Sequence, residues 1–262
     1  MGSSRSLDKE KVARCFRRAR TSYDEHGVVQ KRVGDELVEL LADFPQIRFD
    51  RVLEVGCCTG MMTRTLCERF AVERLYLNDL VPDFEQTVID RLPPGLGTTI
   101  QPFFGDIESL QLPQELDLVV SSSTLQWLED LPAFFHRVAR ALGESGHLAF
   151  SLFSAGTLKE FKQLTGIGLD YMQTDELVHI LETDFELKWI KSREKTQDFP
   201  TTYDLLRHFK ATGVGGVSEH RWTTGSLKEL ERNYKQHYGT SRGLPVSYAT
   251  TSVIARKKGT SS

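Results

Sequence analysis

From residue 51 onward the chain alternates short apolar runs with amphipathic stretches. The runs at 51–55, 74–77, 99–104, 116–121 and 147–153 are short enough for strands, and the segments 61–70, 82–91 and 131–142 between them have helical spacing. Apolar strands separated by helices imply βαβ units and a buried parallel sheet. Residues 7–42 carry Leu37, Leu40 and Leu41 at i, i+3, i+4 among charges, which predicts a helical region closed by Pro45. Beyond 156 the pattern predicts two helices over 157–181, a strand at 185–190, helices at 203–212 and 227–238, and a last strand at 248–256. The late strands are expected to complete the same sheet, with the helices of 157–181 and 203–238 above it as a cap. One α/β domain is expected, with an N-terminal lid at about 7–45, a core at about 50–155 and the cap with the last strands at about 156–256.

Composition narrows the class. A chain of 262 residues with 39% apolar and 26% charged residues is an ordinary globular protein. No stretch approaches the ~20 apolar residues of a membrane span, and the N-terminus has no apolar signal region. The net charge of −3 argues against a nucleic-acid footprint. Cys15, Cys57, Cys58 and Cys67 include no C-x-x-C pair, so they read as reduced thiols of a cytoplasmic protein without a metal site. The small polar ends, 1–4 and 259–262, are expected to be disordered.

The candidate chemistry lies at the strand ends. Val52-Leu53-Glu54-Val55-Gly56-Cys57-Cys58-Thr59-Gly60 runs a strand through a glycine turn into a helix. A dinucleotide fingerprint requires glycine at 58 and glycine or alanine at 61, where the chain has Cys58 and Met61. Glu54, Gly56 and Gly60 instead match an acidic-x-G-x-G-x-G methyltransferase pattern, with Cys58 as the miss. Asp79 after the second strand suits two ribose hydroxyls. Asp106 after the third suits an adenine amino group, with Ile107 against the ring. Taken singly, each has a plainer reading as a tight turn or a helix cap. Together, at the ends of three successive strands, they favour S-adenosylmethionine.

Further blocks extend the pattern over about 12–256. They include Phe16-Arg17-Arg18-Ala19-Arg20-Thr21-Ser22-Tyr23-Asp24 with Val29-Gln30, Gly105 to Leu110, and Ser121-Ser122-Ser123-Thr124-Leu125-Gln126-Trp127. Late in the chain come Leu206 to Gly213 and Leu244-Pro245-Val246-Ser247-Tyr248. With these the sequence resembles the malonyl-[acyl-carrier protein] O-methyltransferases of biotin synthesis. Cys58 and the Ser122-Ser123 pair depart from the family's pattern. The resemblance implies a Rossmann-like class I methyltransferase fold, with a mostly parallel seven-stranded sheet, helices on both faces and a helical cap. It also implies methylation of the free carboxylate of malonyl-[acyl-carrier protein] by S-adenosylmethionine, with S-adenosylhomocysteine as product.

Such a carboxylate is ionised near neutrality, so no general base and no metal are expected. The resemblance folds the N-terminal helix over the cofactor. Tyr23 is then the positioning residue near the sulfonium, and Gln30 sits near the methionine end. That helix is expected to order on cofactor binding. Glu54, Gly56, Cys57 and Gly60 are expected at the turn, Asn78, Asp79 and Leu80 after the second strand, and Asp106 and Ile107 after the third. Ser121 and Leu125 complete the expected cofactor contacts. Ser122, Trp127, Arg207 and Lys210 are the candidate substrate residues, with Arg207 and Lys210 sharing a helix face for an anion. Lys9, Lys11, Arg14, Arg17, Arg18 and Arg20 offer a docking face for an acidic carrier. His220, Arg221 and Trp222 form a mixed cluster that is not read as metal-binding. A monomer is expected, without nucleic-acid or membrane partners. Other readings are a methyltransferase of a free small carboxylic acid, a non-catalytic binding module and a nucleic-acid methyltransferase.

Overall fold

The computed structural model describes residues 7–43, 48–214 and 221–259. Pro45, His220 and the chain ends 1–4 and 260–262, on which expectations were placed, lie outside the described residues. Five strands run parallel: β1 (Arg48–Val55), β2 (Ala71–Asn78), β3 (Thr99–Pro102), β4 (Leu116–Ser122) and β5 (Leu142–Phe153). Two more, β6 (Phe185–Phe199) and β7 (Leu244–Lys257), pair antiparallel, and β7 runs antiparallel beside β5. Among the described residues they form one seven-stranded sheet in the order β3-β2-β1-β4-β5-β7-β6. The α/β class and the mostly parallel sheet are those the pattern implies.

Both faces of the sheet are covered. On one face Leu53 and Val55 of β1 pack with α6 (Leu131–Ala141) and α8 (Thr174–Leu181). On the other, Phe49 and Val52 meet α3 (Val28–Ala42), α4 (Met61–Arg69) and α5 (Glu85–Arg91). A strand buried on both faces shows a continuous apolar run, which is why these strands were legible.

Two regions differ from expectation. The N-terminal region is three helices rather than one stretch: α1 (Lys9–Ala19), α2 (Tyr23–His26) and α3. Gly27 makes the second break, where a Cβ would stand 2.7 Å from the Tyr23 carbonyl oxygen. These breaks leave Tyr23 buried. At the other end, β6 and β7 are longer than the expected 185–190 and 248–256. The extension of β6 is exposed over residues 191–196, so it carries no apolar signal. It pairs with the start of β7, whose Leu244 and Val246 anchor a third core with α7 (Lys159–Thr165), α9 (Thr202–Ala211) and α10 (Thr224–Tyr238). Among the described residues no helix is long and apolar enough to cross a membrane.

Candidate active site

β1 has β2 on one side and β4 on the other, so the chain order reverses at its carboxyl end. Open α/β sheets bind ligands in the crevice at such a point. Here the crevice is a cleft of about 1000 Å³, open mouth included. Its floor is the turn after β1, with Gly56 at φ +78°, Cys58 at +49° and Gly60 at +79°. The Asn78 carbonyl accepts from the Gly56 and Cys57 N–H groups at 2.8 and 2.9 Å, and the Gly60 N–H closes onto the Cys57 carbonyl at 2.8 Å. A Cβ at Gly56 would stand 2.0 Å from Thr124 Oγ1, so only glycine fits there. Cys58 holds the left-handed conformation that glycine adopts freely.

Among the described residues, three carboxyl groups line the cleft. Glu54 is buried, and burial lifts it to about 8, with the Thr63 hydroxyl opposing and Asp79 reinforcing. Its Oε2 has no hydrogen-bond partner among the described residues. Burial also lifts Asp79, to about 6, against its backbone hydrogen bonds. Asp79 accepts from Cys58 N–H at 2.9 Å and Val81 N–H at 2.8 Å. Asp106 accepts from Lys9 Nζ at 2.6 Å and from Glu108 N–H at 3.0 Å.

The N-terminal helices roof the cleft. Lys9 pairs with Glu108 as well as Asp106, Arg17 with Asp83 at 2.9 Å, and Arg91 with Asp24. Thr59 Oγ1 donates to Asp24 at 2.6 Å. Tyr23 lies against Cys58, and its phenol is pushed well up by burial first, then by the nearby Cys58 and Asp79. Burial, with Asp79 next, likewise holds the Cys57 and Cys58 thiols protonated.

A second, narrower pocket adjoins the cleft, about 410 Å³ with its open mouth included. Phe16, Tyr23, Gln30, Ser123 and Trp127 line both. Trp127 meets Phe16 edge-on, with ring centres 5.6 Å apart.

Of the expected cofactor residues, Tyr23, Gln30, Glu54, Gly56 and Cys57 line the cleft, as do Asn78, Asp79, Leu80, Asp106 and Ile107. Ser122 and Trp127, expected to meet substrate, line it as well. Five residues are off its wall. Gly60 shapes the turn and backs onto Val88 of α5, where a Cβ would sit at 3.0 Å. Ser121 is buried and donates to the Val55 carbonyl at 2.8 Å, and Leu125 belongs to the core beneath. Arg207 and Lys210, the pair expected to meet a substrate anion, line neither cavity. α9 turns Leu205, His208 and Phe209 inward, so both cations fall on its exposed side. The docking face on α1 is also smaller than expected, because Lys9, Arg17 and Arg20 are engaged with Asp106, Glu108 and Asp83. Lys9, Cys58, Ser123 and Gln126 are wall residues that motif reading did not place in the site. Left-handed backbone at residues 58 and 123 is the structural sign that marks two of them.

Residues 53–150 match the model of the Methyltransferase domain family. The malonyl-[acyl-carrier protein] O-methyltransferase of Acinetobacter baylyi is 35% identical over 96% of this chain and 98% of its own. The chain belongs to the malonyl-[acyl-carrier protein] O-methyltransferase family. The family member from Chlorobium luteolum is also 35% identical, over 96% of both chains. The solved YcgJ protein of Bacillus subtilis shares the fold, with a TM-score of 0.61, 13% identity, and coverage of 86% of this chain and 99% of that one.

Proposed function

We propose that this chain transfers a methyl group from S-adenosylmethionine to the free carboxylate of malonyl-[acyl-carrier protein]. The product is the methyl ester that enters fatty-acid-type elongation toward biotin. The observation that carries this reading is the pair of adjoining cavities in a member of this family. One is suited to a nucleoside with a cationic tail, and the other is mainly aromatic with a few hydroxyl and amide groups among the described residues. The residues fit the cofactor. Glu54 Oε2 and Gln30 Oε1 are buried on the cleft wall without hydrogen-bond partners among the described residues, two polar atoms that a bound ligand would satisfy. Asp79 and Asp106 are the candidate partners of ribose and adenine, and Tyr23 and Gln30 of the methionine end.

S-adenosylmethionine, when bound, supplies an electrophilic methyl on a positively charged sulfur. The chain's own part is to bind, align and exclude water. The acceptor carboxylate is already ionised near neutrality, so no side chain removes a proton. Holding two reactants in line is worth roughly 7–11 kcal/mol. Closing α1 over the cleft strips water from the anion. The exposed Arg14, Arg18, Arg207 and Lys210, on neighbouring α1 and α9, suit an acidic carrier domain.

The test is transfer of labelled methyl to malonyl-[acyl-carrier protein], with acetyl-[acyl-carrier protein] and malonyl-CoA alongside. Label is expected on the malonyl carrier and none on the acetyl carrier. Label on malonyl-CoA alone would move the substrate to a free small acid thioester. No label on any of the three would remove the assignment.

A further inference from the structure

Among the described residues, none on the wall of the second cavity is charged. Six residues there carry hydroxyls: Tyr23, Ser123, Thr157, Tyr171, Thr212 and Tyr248. Four are committed within the protein. Tyr23 is paired with the Cys58 thiol, Thr157 donates to the Ala249 carbonyl at 2.7 Å, and Thr212 to the His208 carbonyl at 2.9 Å. Tyr248 shares a 3.0 Å hydrogen bond with His208 Nε2. Ser123 and Tyr171 have no hydroxyl partner among the described residues, and Ser123 Oγ is shielded from solvent. A buried polar group left unpaired in this way calls for an explanation.

Ser123 is also held in an unfavourable conformation. Its φ of +55° lies in the left-handed region, which serine rarely adopts. Two neighbours enforce it. The Ser123 N–H donates to the Ser151 carbonyl at 2.8 Å, and Gln126 Nε2 donates to the Ser123 carbonyl at 2.6 Å. Gln126 Oε1 in turn accepts from Phe153 N–H at 3.4 Å, which ties the turn to the end of β5. Strain, burial and an unmade hydrogen bond therefore coincide at one hydroxyl, on the wall common to both cavities.

Resting on the function proposed above, we propose that the second cavity is the acyl pocket and recognises a carboxylate-ended thioester through neutral donors. The Ser123 hydroxyl donates to the substrate carboxylate, and the Tyr171 hydroxyl to the thioester carbonyl. Ser123 has the carboxylate because it stands on the wall shared with the cofactor cleft, where the reacting oxygen must be. Tyr171 lines only the second cavity. In a malonyl thioester one methylene separates the two acceptors, so two donors in one small cavity suit it. Neutral donors also suit the reaction. A guanidinium would hold the anion's lone pairs too tightly, whereas a hydroxyl orients one oxygen and leaves the other nucleophilic. The new C–O bond forms as the methyl–sulfur bond breaks, the carboxylate charge disappears into the ester, and the neutral thioether leaves.

Steady-state kinetics with malonyl-[acyl-carrier protein] tests this on wild type, Ser123→Gly and Tyr171→Phe, with S-adenosylhomocysteine binding measured by calorimetry on each. Glycine keeps the left-handed backbone without strain and removes the hydroxymethyl side chain. Because the carboxylate loses charge in the transition state, its donor favours the ground state. KM is therefore expected to rise about 10-fold in Ser123→Gly and about 5-fold in Tyr171→Phe, with kcat unchanged or higher and S-adenosylhomocysteine affinity within about twofold. Wild-type KM in both variants overturns the proposal, and so does a loss of kcat at unchanged KM. If Ser123→Gly no longer binds S-adenosylhomocysteine, Tyr171→Phe decides, and wild-type KM there overturns it. A wild-type enzyme inactive on the malonyl carrier removes the function reading itself, and this pocket assignment falls with it.

Discussion

Cys58 occupies a place shaped for glycine. A non-glycine residue in the left-handed region costs roughly 1–2 kcal/mol, which the hydrogen bonds of the turn sustain. Cys58→Gly is therefore expected to keep or raise the thermal midpoint, with S-adenosylhomocysteine binding not weakened. Cys58→Val puts a branched Cβ at the same φ and is expected to lower the midpoint. Equal midpoints for the two variants would contradict the strain argument. Glu54 gives a second test. Burial lifts its carboxyl from 4.5 to about 8, so across that window the folded chain keeps a proton that the unfolded chain has lost. Stability therefore falls as pH rises from about 4.5 to 8, by up to about 1.4 kcal/mol per pH unit for one proton. Glu54→Gln is expected to flatten that slope and to be the more stable chain at the upper end, while binding S-adenosylhomocysteine more weakly. Denaturant midpoints measured at intervals across the window decide it, and parallel slopes for the two proteins would contradict a buried protonated Glu54.

At the scale of elements, α1 is the least anchored part of the site. Only Val12 and Ala19 of its residues are fully buried. Besides Phe16 against Trp127, it is held over the cleft by polar ties, namely the Lys9 pairs with Asp106 and Glu108 and the Arg17 pair with Asp83. An element with so little buried apolar surface opens at low free energy. Amide hydrogen exchange of residues 9–19 is expected to be fast in the free protein and to slow on adding S-adenosylhomocysteine. Protection already at its full value without ligand would mean that Phe16 and the polar ties alone hold the roof. These ties also mark where sequence reading stops. The turn at 56–60 and the aspartates 79 and 106 were legible because strand, turn and helix follow one another within a few residues. Lys9 and Asp106 are 97 residues apart, and an ion pair across that distance leaves no local pattern. The exposed half of β6 was missed for a related reason. With neither face buried, residues 191–196 show no periodicity, and only pairing with β7 makes them a strand.

For the whole molecule, the two cavities and the charge distribution together bear on carrier recognition. The chain is acidic overall, and counting charges along the sequence overstated the basic face of α1 because it could not see which cations are paired internally. Arg14 and Arg18 are exposed and have no ion-pair partner among the described residues. α1 packs beside α9, where the ring of Phe16 lies against Gly213, so closely that a Cβ there would come within 2.7 Å. Both helices contribute to the second cavity, α1 through Phe16 and α9 through Phe209. Arg14 and Arg18 stand on the exposed side of α1, the helix that contributes Phe16 to the cavity assigned to the acyl group, and are the cations on that helix left open to an acidic carrier. Rim charges of this kind act mainly on encounter and are screened by salt over about 10 Å at 0.1 M. Arg14→Glu with Arg18→Glu is expected to raise KM for malonyl-[acyl-carrier protein] several-fold at low salt, with a difference that shrinks as salt rises. The same double variant is expected to handle malonyl-pantetheine as wild type does, since that substrate has no acidic carrier surface. Equal losses on both substrates would place the two arginines in the fold or the cleft rather than on a docking face. A carrier KM that stays at the wild-type value at every salt concentration would remove α1 from the docking surface.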